Sequence, residues 1–187
     1  MKGIFIITFL LALTVQNLRA QEKYYTNTGH VYFISRTDIL NIEGTNDKMI
    51  SFININTGEM IFGVKMKAFE FKLPLAEEHF NENYVESEKY PNAKFKGKIL
   101  NFSEVNLKKE GKYEVEAEGD LEIHGVTRKI KEKAMLLVKE NKIVATCSFS
   151  INISDYNIKV PKLVEDKVAK EIPIELRLEY IPYKSEK

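Results

Sequence analysis

The segment from Tyr113 to Val138 constrains the fold more than any other part of the chain. From Tyr113 to Ile123 every even position is acidic and every odd one is apolar or glycine. A period of two is that of a strand with one face toward a core and the other toward water. His124-Gly125 interrupts the pattern, and Lys129, Lys131 and Lys133 then alternate in turn. A two-residue turn at His124-Gly125 predicts Asp120 opposite Lys129, Glu118 opposite Lys131 and Glu116 opposite Lys133. Each such pair of opposite charges favours this register by about 0.2–1 kcal/mol. A slip of one residue would send the lysines to the face away from the acids.

The same alternation runs through much of the chain. Met60, Phe62, Val64 and Met66 share one face, with a phase slip near Ala68 before Phe69 and Phe71. Ile143, Ala145, Cys147, Phe149, Ile151 and Ile153 form another, and Ile172, Ile174, Leu176, Leu178 and Tyr180 the last. Strands near His30 to Ser35, Asn41 to Thr45 and Ile50 to Ile55 are less regular. Gly58, Gly97, Gly111 and Asn141 stand where turns are expected. Only Pro74 to Val85 reads as helical, with proline in the first turn and Ala76, Phe80 and Tyr84 spaced by four. Val160 to Lys170 is a second insertion, read as a loop with one helical turn.

Residues 1–20 read as an export signal and not as part of the fold. Lys2 precedes an apolar run from Ile4 to Val15, and Leu18-Arg19-Ala20 offers a cleavage position before Gln21. That run is too short to span a bilayer comfortably, and no other apolar stretch is longer. With no cysteine after the site, a lipoprotein anchor is not expected. The remainder, residues 21–187, is sized for one domain. Its location is expected to be periplasmic or secreted, with no integral membrane part once the signal is removed.

Charge and cysteine content remove several function classes. Lys and Arg number 28 against 27 Asp and Glu, a net charge of +1 with no basic block. Nucleic-acid binding needs concentrated positive charge, so it is not expected. Cys147 is the single cysteine, which excludes an intramolecular disulfide and a CxxC metal or redox site. His30, His79 and His124 are not paired at metal-ligand spacing, and no metal is expected. There is no GxSxG elbow, phosphate loop or dinucleotide fingerprint. No catalytic residues and no cofactor are expected, and the protein reads as a non-enzyme.

So many one-sided strands in one modest chain must share an interior. A closed antiparallel barrel does this while removing exposed edges, and about eight strands can enclose a small ligand. A solid β-sandwich would show the same alternation.

Four segments carry a more specific signal. Glu88-Lys89-Tyr90-Pro91-Asn92-Ala93-Lys94-Phe95 resembles the KYP…F segment of the YceI-like proteins, the polyisoprenoid-binding, lipocalin-like family. Gly119 to Arg128 is similar to that family's glycine-bounded hairpin. Phe149 to Ile158 resembles its strand near the end of the domain, and His79 falls near a family histidine. The four occur in the family's order and cover nearly all of residues 28–181. Ile153 stands in the place of the family's arginine and Asn157 in that of its glycine, and the Arg-Asp pair before the histidine is missing.

The resemblance implies an all-β, lipocalin-like antiparallel barrel of about eight strands with a short helix inserted between them. It implies a partner that is a long-chain lipid, a polyisoprenoid or a fatty-acid-like molecule, held in an apolar interior. The alternative is a barrel filled by its own side chains and serving as an interaction or structural protein. Homodimer formation is left open. The inward phases nominate Phe62, Val64 and Met66, then Val115 and Leu121, then Phe149 and Ile151, then Leu176 and Leu178 as the lining. Phe80 and Tyr84 on the helical segment are the candidate underside of a gate, or of a fixed plug. Eleven phenylalanines and five methionines suit a wall that adapts to a flexible chain.

Overall fold

The computed structural model describes residues 23–183, so the export signal assigned to residues 1–20 lies outside it. Within this range the strands are β1 (Lys23–Arg36), β2 (Asn41–Asn54), β3 (Glu59–Lys65), β4 (Glu70–Phe71) and β5 (Asn92–Ile99). They continue as β6 (Gly111–Ile123), β7 (Val126–Lys139), β8 (Lys142–Asn152) and β9 (Glu171–Pro182). Antiparallel ladders run in the order β1-β9-β8-β7-β6-β5-β3-β2, and β2 pairs back to β1. The result is a closed eight-stranded barrel, with β4 as an extra strand continuing along the edge of β2 that β3 occupies. The first and last strands meet at Tyr24 and Pro182, and the Tyr183 amide donates to the Lys23 carbonyl at 2.7 Å.

The central hairpin has the register its charges demand. Asp120 faces Lys129, Glu118 faces Lys131 and Glu116 faces Lys133. His124 and Gly125 take φ of +52° and +71°, the backbone of a type I′ turn. The ion pairs themselves run diagonally. Lys131 Nζ lies 2.9 Å from Glu116, and Lys133 Nζ lies 3.2 Å from Glu114. Strand twist carries long side chains toward the diagonal neighbour. The outward faces of β6 and β7 therefore present charge where a membrane-spanning barrel needs an apolar band. Among the described residues no helix is long and apolar enough to cross a membrane.

The irregular early strands have a physical cause. The pairing of β1 with β2 shifts between Thr26 and Gly29 and again before Val31. The first shift is an extra residue on β1 and the second an extra residue on β2. The inward phase of β1 therefore flips once, with Thr26 buried before the bulge and Val31 after it. The phase slip near Ala68 is a 3₁₀ turn over Met66–Ala68. The helical segment is α1 (Pro74–His79), which widens into a π-helical turn over Phe80–Tyr84. The Val85 amide there donates to Phe80, and the Asn81 side-chain amide donates to the Glu77 carbonyl. Residues Lys162–Lys167 form two 3₁₀ turns kinked at Val164, inside the second insertion.

One end of the barrel is solid. Met49, Ile53, Leu136, Ile143 and Tyr180 are all at most 2% exposed there. The Ser51 hydroxyl donates to the Ile61 carbonyl at 2.8 Å, so Tyr180 Oη donates to Ser51 at 2.7 Å. Burial pushes the Tyr180 hydroxyl up to about 12, with the Ser51 hydrogen bond opposing the shift.

Candidate ligand cavity

The other end of the barrel is hollow. A cavity of about 470 Å³ lies inside it, within the range of small-molecule sites, roughly 300–1,000 Å³. Its wall is nearly all carbon, from strands β1 to β6, β8 and β9 and from the segments that cap the barrel. The polar side chains on it are few: Ser35, His79, Tyr84 and Lys167. Ser35 Oγ is already engaged, accepting the Ala169 amide at 2.9 Å. Burial raises the Tyr84 hydroxyl above its ordinary range. Such a surface rewards contact with an equally apolar ligand and gives little purchase to a polar one.

Nine of the eleven nominated residues line this cavity. They are Phe62, Val64, Met66, Phe80, Tyr84, Leu121, Phe149, Ile151 and Leu176. Val115 and Leu178 point inward as their phases require, but they stand beside a second void of about 60 Å³ toward the solid end. Phe62, Phe149 and Leu176 line both spaces and form the partition between them.

The wall contains residues that periodicity alone does not single out. Phe33, Phe69 and Phe71 surround Phe80, with ring centroids 5.5, 5.4 and 5.0 Å from it. Phe33 lies beyond the bulge of β1, and Phe69 and Phe71 lie beyond the 3₁₀ turn, so neither phase continues a regular strand. The mouth adds Leu40 and Leu73 from connecting segments, Leu75 from α1 and Val164 from the kink between the two 3₁₀ turns. Loops carry no period from which to read their inward side.

Two ionisable groups border the small void. Glu132 occupies an inward position of β7 beside the small void, and desolvation raises its carboxyl above the usual range. Cys147 lines the same void, half-buried, and its thiol donates to the Lys133 carbonyl. Burial and the nearby Glu132 carboxylate push that thiol up to about 11. At neutral pH Cys147 is therefore protonated and a poor nucleophile.

A cluster at the β6–β7 turn holds the capping segment to the barrel. His124 Nδ1 lies 3.0 Å from the Tyr156 carbonyl and Nε2 lies 2.7 Å from the Glu86 carboxylate. The Tyr90 ring meets the His124 ring edge-on at 4.5 Å. A Cβ on Gly125 would lie 2.5 Å from that tyrosine ring. The His124 hydrogen bond holds the Glu86 carboxyl below its usual range. The stabilising effect of this contact is present above the ordinary carboxylate range and is lost as pH falls through the lowered value. His124 is thus a structural clasp, and His79 lies on the cavity wall.

With this geometry in view, comparison with known proteins gives a consistent picture. Residues 24–180 match the profile of the YceI-like domain. A search of curated proteins returned no match. Among solved structures, a polyisoprenoid binding domain from Saccharophagus degradans implicated in plant cell wall breakdown superposes with a TM-score of 0.75. The two are 14% identical, and the match covers 86% of this chain and 98% of that one. BcnA of Burkholderia cenocepacia matches with a TM-score of 0.62 at 15% identity, over 81% of this chain and 95% of its own. A Campylobacter jejuni YceI protein matches at 0.60 and 16% identity, over 81% and 91%. At these identities the structural likeness speaks for the shared fold.

Proposed function

Because the chain belongs to the YceI-like domain family, we propose that it is an exported protein that holds a long-chain lipid, an isoprenoid in the first instance, as a carrier or buffer. The observation that carries this reading is the hollow half of the barrel, about 470 Å³ bounded almost wholly by carbon. Each CH₂ of a prenyl or acyl chain gains about 0.8 kcal/mol on leaving water, so such a wall binds tightly without a polar contact. The polyisoprenoid binding named for the Saccharophagus degradans domain supports the same ligand class. Export rests on the residue pattern of positions 1–20. Binding, not catalysis, is the role that suits a wall so poor in polar groups.

Native mass spectrometry and organic extraction of the purified protein test the reading. A long-chain lipid is expected to co-purify, or an added polyprenol to be taken up in its place. A protein that carries no lipid and takes up none is a barrel without a carrier role.

The capping segment is proposed as the gate. Neither α1 nor the π-helical turn contains a fully buried residue, as a movable element requires. Phe80→Ala with Tyr84→Ala is expected to speed lipid dissociation about tenfold while lowering unfolding free energy by less than about 2 kcal/mol, below the usual cost of large-to-small core changes. Unchanged lipid exchange in the folded double variant would rule the gate out. A loss of several kcal/mol would mark the segment as a plug.

A further inference from the structure

The rim of the cavity is built unlike the rest of the surface. Leu163 is 92% exposed, Leu75 60% and Ile39 58%, and Leu73 is also exposed. Single exposed apolar residues are ordinary on a protein surface. These come from three separate segments, and each segment sends a neighbouring residue into the cavity: Leu40 beside Ile39, Leu73 and Leu75 themselves, and Val164 beside Leu163. They therefore converge on one mouth. The bond from the Ala169 amide to Ser35 Oγ ties the 160–168 segment to the end of β1, from which the Ile39 turn follows. The kink at Val164, with φ −130° and ψ 15°, turns one residue inward and leaves its neighbour Leu163 directed at solvent.

Charge in residues 159–170, beside this apolar rim, is net positive. Lys159, Lys162, Lys167 and Lys170 are all exposed, against Glu165 and Asp166. Lys170 is engaged with Glu165 at 3.5 Å, which leaves three lysines facing one aspartate. Next to Leu73, Lys72 is paired with Glu43 at 2.8 Å. The acids of α1, Glu77 and Glu78, belong to a different surface hollow with Lys67 and Glu88.

We propose that the open end of the barrel docks on an anionic lipid bilayer, with Leu163 entering the acyl boundary and the lysines of residues 159–170 meeting the headgroups. Apolar residues that enter the interface, flanked by lysines that stay at it, are the elements of interfacial binding. Seated this way, the mouth opens toward the bilayer, and a lipid chain passes into the cavity without crossing water. The inference rests on the carrier reading, because it identifies the source of the proposed ligand.

Flotation with vesicles tests it. One set is phosphatidylcholine alone and the other has one part in four replaced by phosphatidylglycerol. The protein is expected to float with the anionic vesicles and to be released by salt, which screens the headgroup contacts. Leu163→Glu is expected to weaken partitioning about tenfold or more, since one buried leucine is lost and a charge added. Native mass spectrometry of the same variant is expected to show the co-purified lipid retained, because Leu163 itself is outside the cavity. Lipid retained by a protein that floats with neither vesicle would overturn the docking and leave the carrier reading standing. Floating without any bound lipid would support the docking and sink the carrier reading. Concentration-dependent dimers abolished by Leu163→Glu, with no vesicle binding, would assign the rim to a second copy of the chain and overturn the proposal.

Discussion

Leu176→Glu is expected to abolish lipid retention in a barrel that remains folded. Leu176 sits in β9 between Val31 and Cys147, at the partition of the two voids. A carboxylate there would have to lose its water when a lipid enters, or take up a proton, and either requirement opposes binding. A penalty of about 3 kcal/mol already weakens affinity more than a hundredfold. Leu176 stands beside open space, so the substitution need not overpack the core and the fold tolerates it better than binding does. Leu176→Ala, which widens the cavity without adding charge, should keep its lipid. Competition with a fluorescent fatty acid, read beside a thermal melt, separates the outcomes. Lipid binding by folded Leu176→Glu at the original affinity would move the ligand elsewhere.

The second large effect is on stability. Gly97 and Gly119 face each other across β5 and β6, and the Phe95 ring covers both. A Cβ on Gly119 would lie 2.5 Å from Gly97 Cα, 2.5 Å from the Lys96 carbonyl oxygen and 2.7 Å from the Phe95 ring. Two of those three neighbours are backbone, so little can yield. Gly119→Val is expected to cost about 3 kcal/mol or more, at the upper end of overpacking changes, and Gly119→Ala nearly as much. Gly63 is the control, since a Cβ there meets nothing within 4 Å. Gly63→Ala should be neutral or slightly stabilising by restricting the unfolded chain. Denaturant midpoints for the three variants decide the matter. Equal midpoints for Gly119→Ala and Gly63→Ala would show that the strands separate freely at this point.

Gly119 also illustrates what the sequence makes legible. Its place in the alternation marks it as inward-facing, but only the position of Phe95 explains why no side chain is tolerated there. Strand existence, phase and the 113–138 register follow from nearest-neighbour chemistry, and so they can be read from the residues in order. The diagonal run of the ion pairs follows from twist, which the order does not express. In β1 the bulge before Gly29 resets the phase, which hides Phe33 from a period-two reading. For the cavity, phase separates inside from outside but cannot say which part of the inside is empty. Val115 and Leu178 share the inward phase of Leu121 and Leu176, yet they lie at the filled end, because Met49, Ile53 and Tyr180 occupy the space around them. Glu132 is not singled out from the sequence, although a carboxylate on the inward phase between Ile130 and Ala134 is a departure from the pattern, and burial there raises its carboxyl.

The meeting of Tyr24 with Pro182, and of the Tyr183 amide with the Lys23 carbonyl, has a consequence for how the chain may be cut and rejoined. A short linker could connect position 183 to position 23 without disturbing the ladder between β1 and β9. The barrel would then be a covalent ring, and its ends could be reopened at an exposed turn such as Glu140-Asn141, remote in sequence from the rim segments. Such a circular permutant changes which strands the chain completes first while leaving every wall of the cavity in place. Order of synthesis and final architecture can thereby be varied independently in this protein.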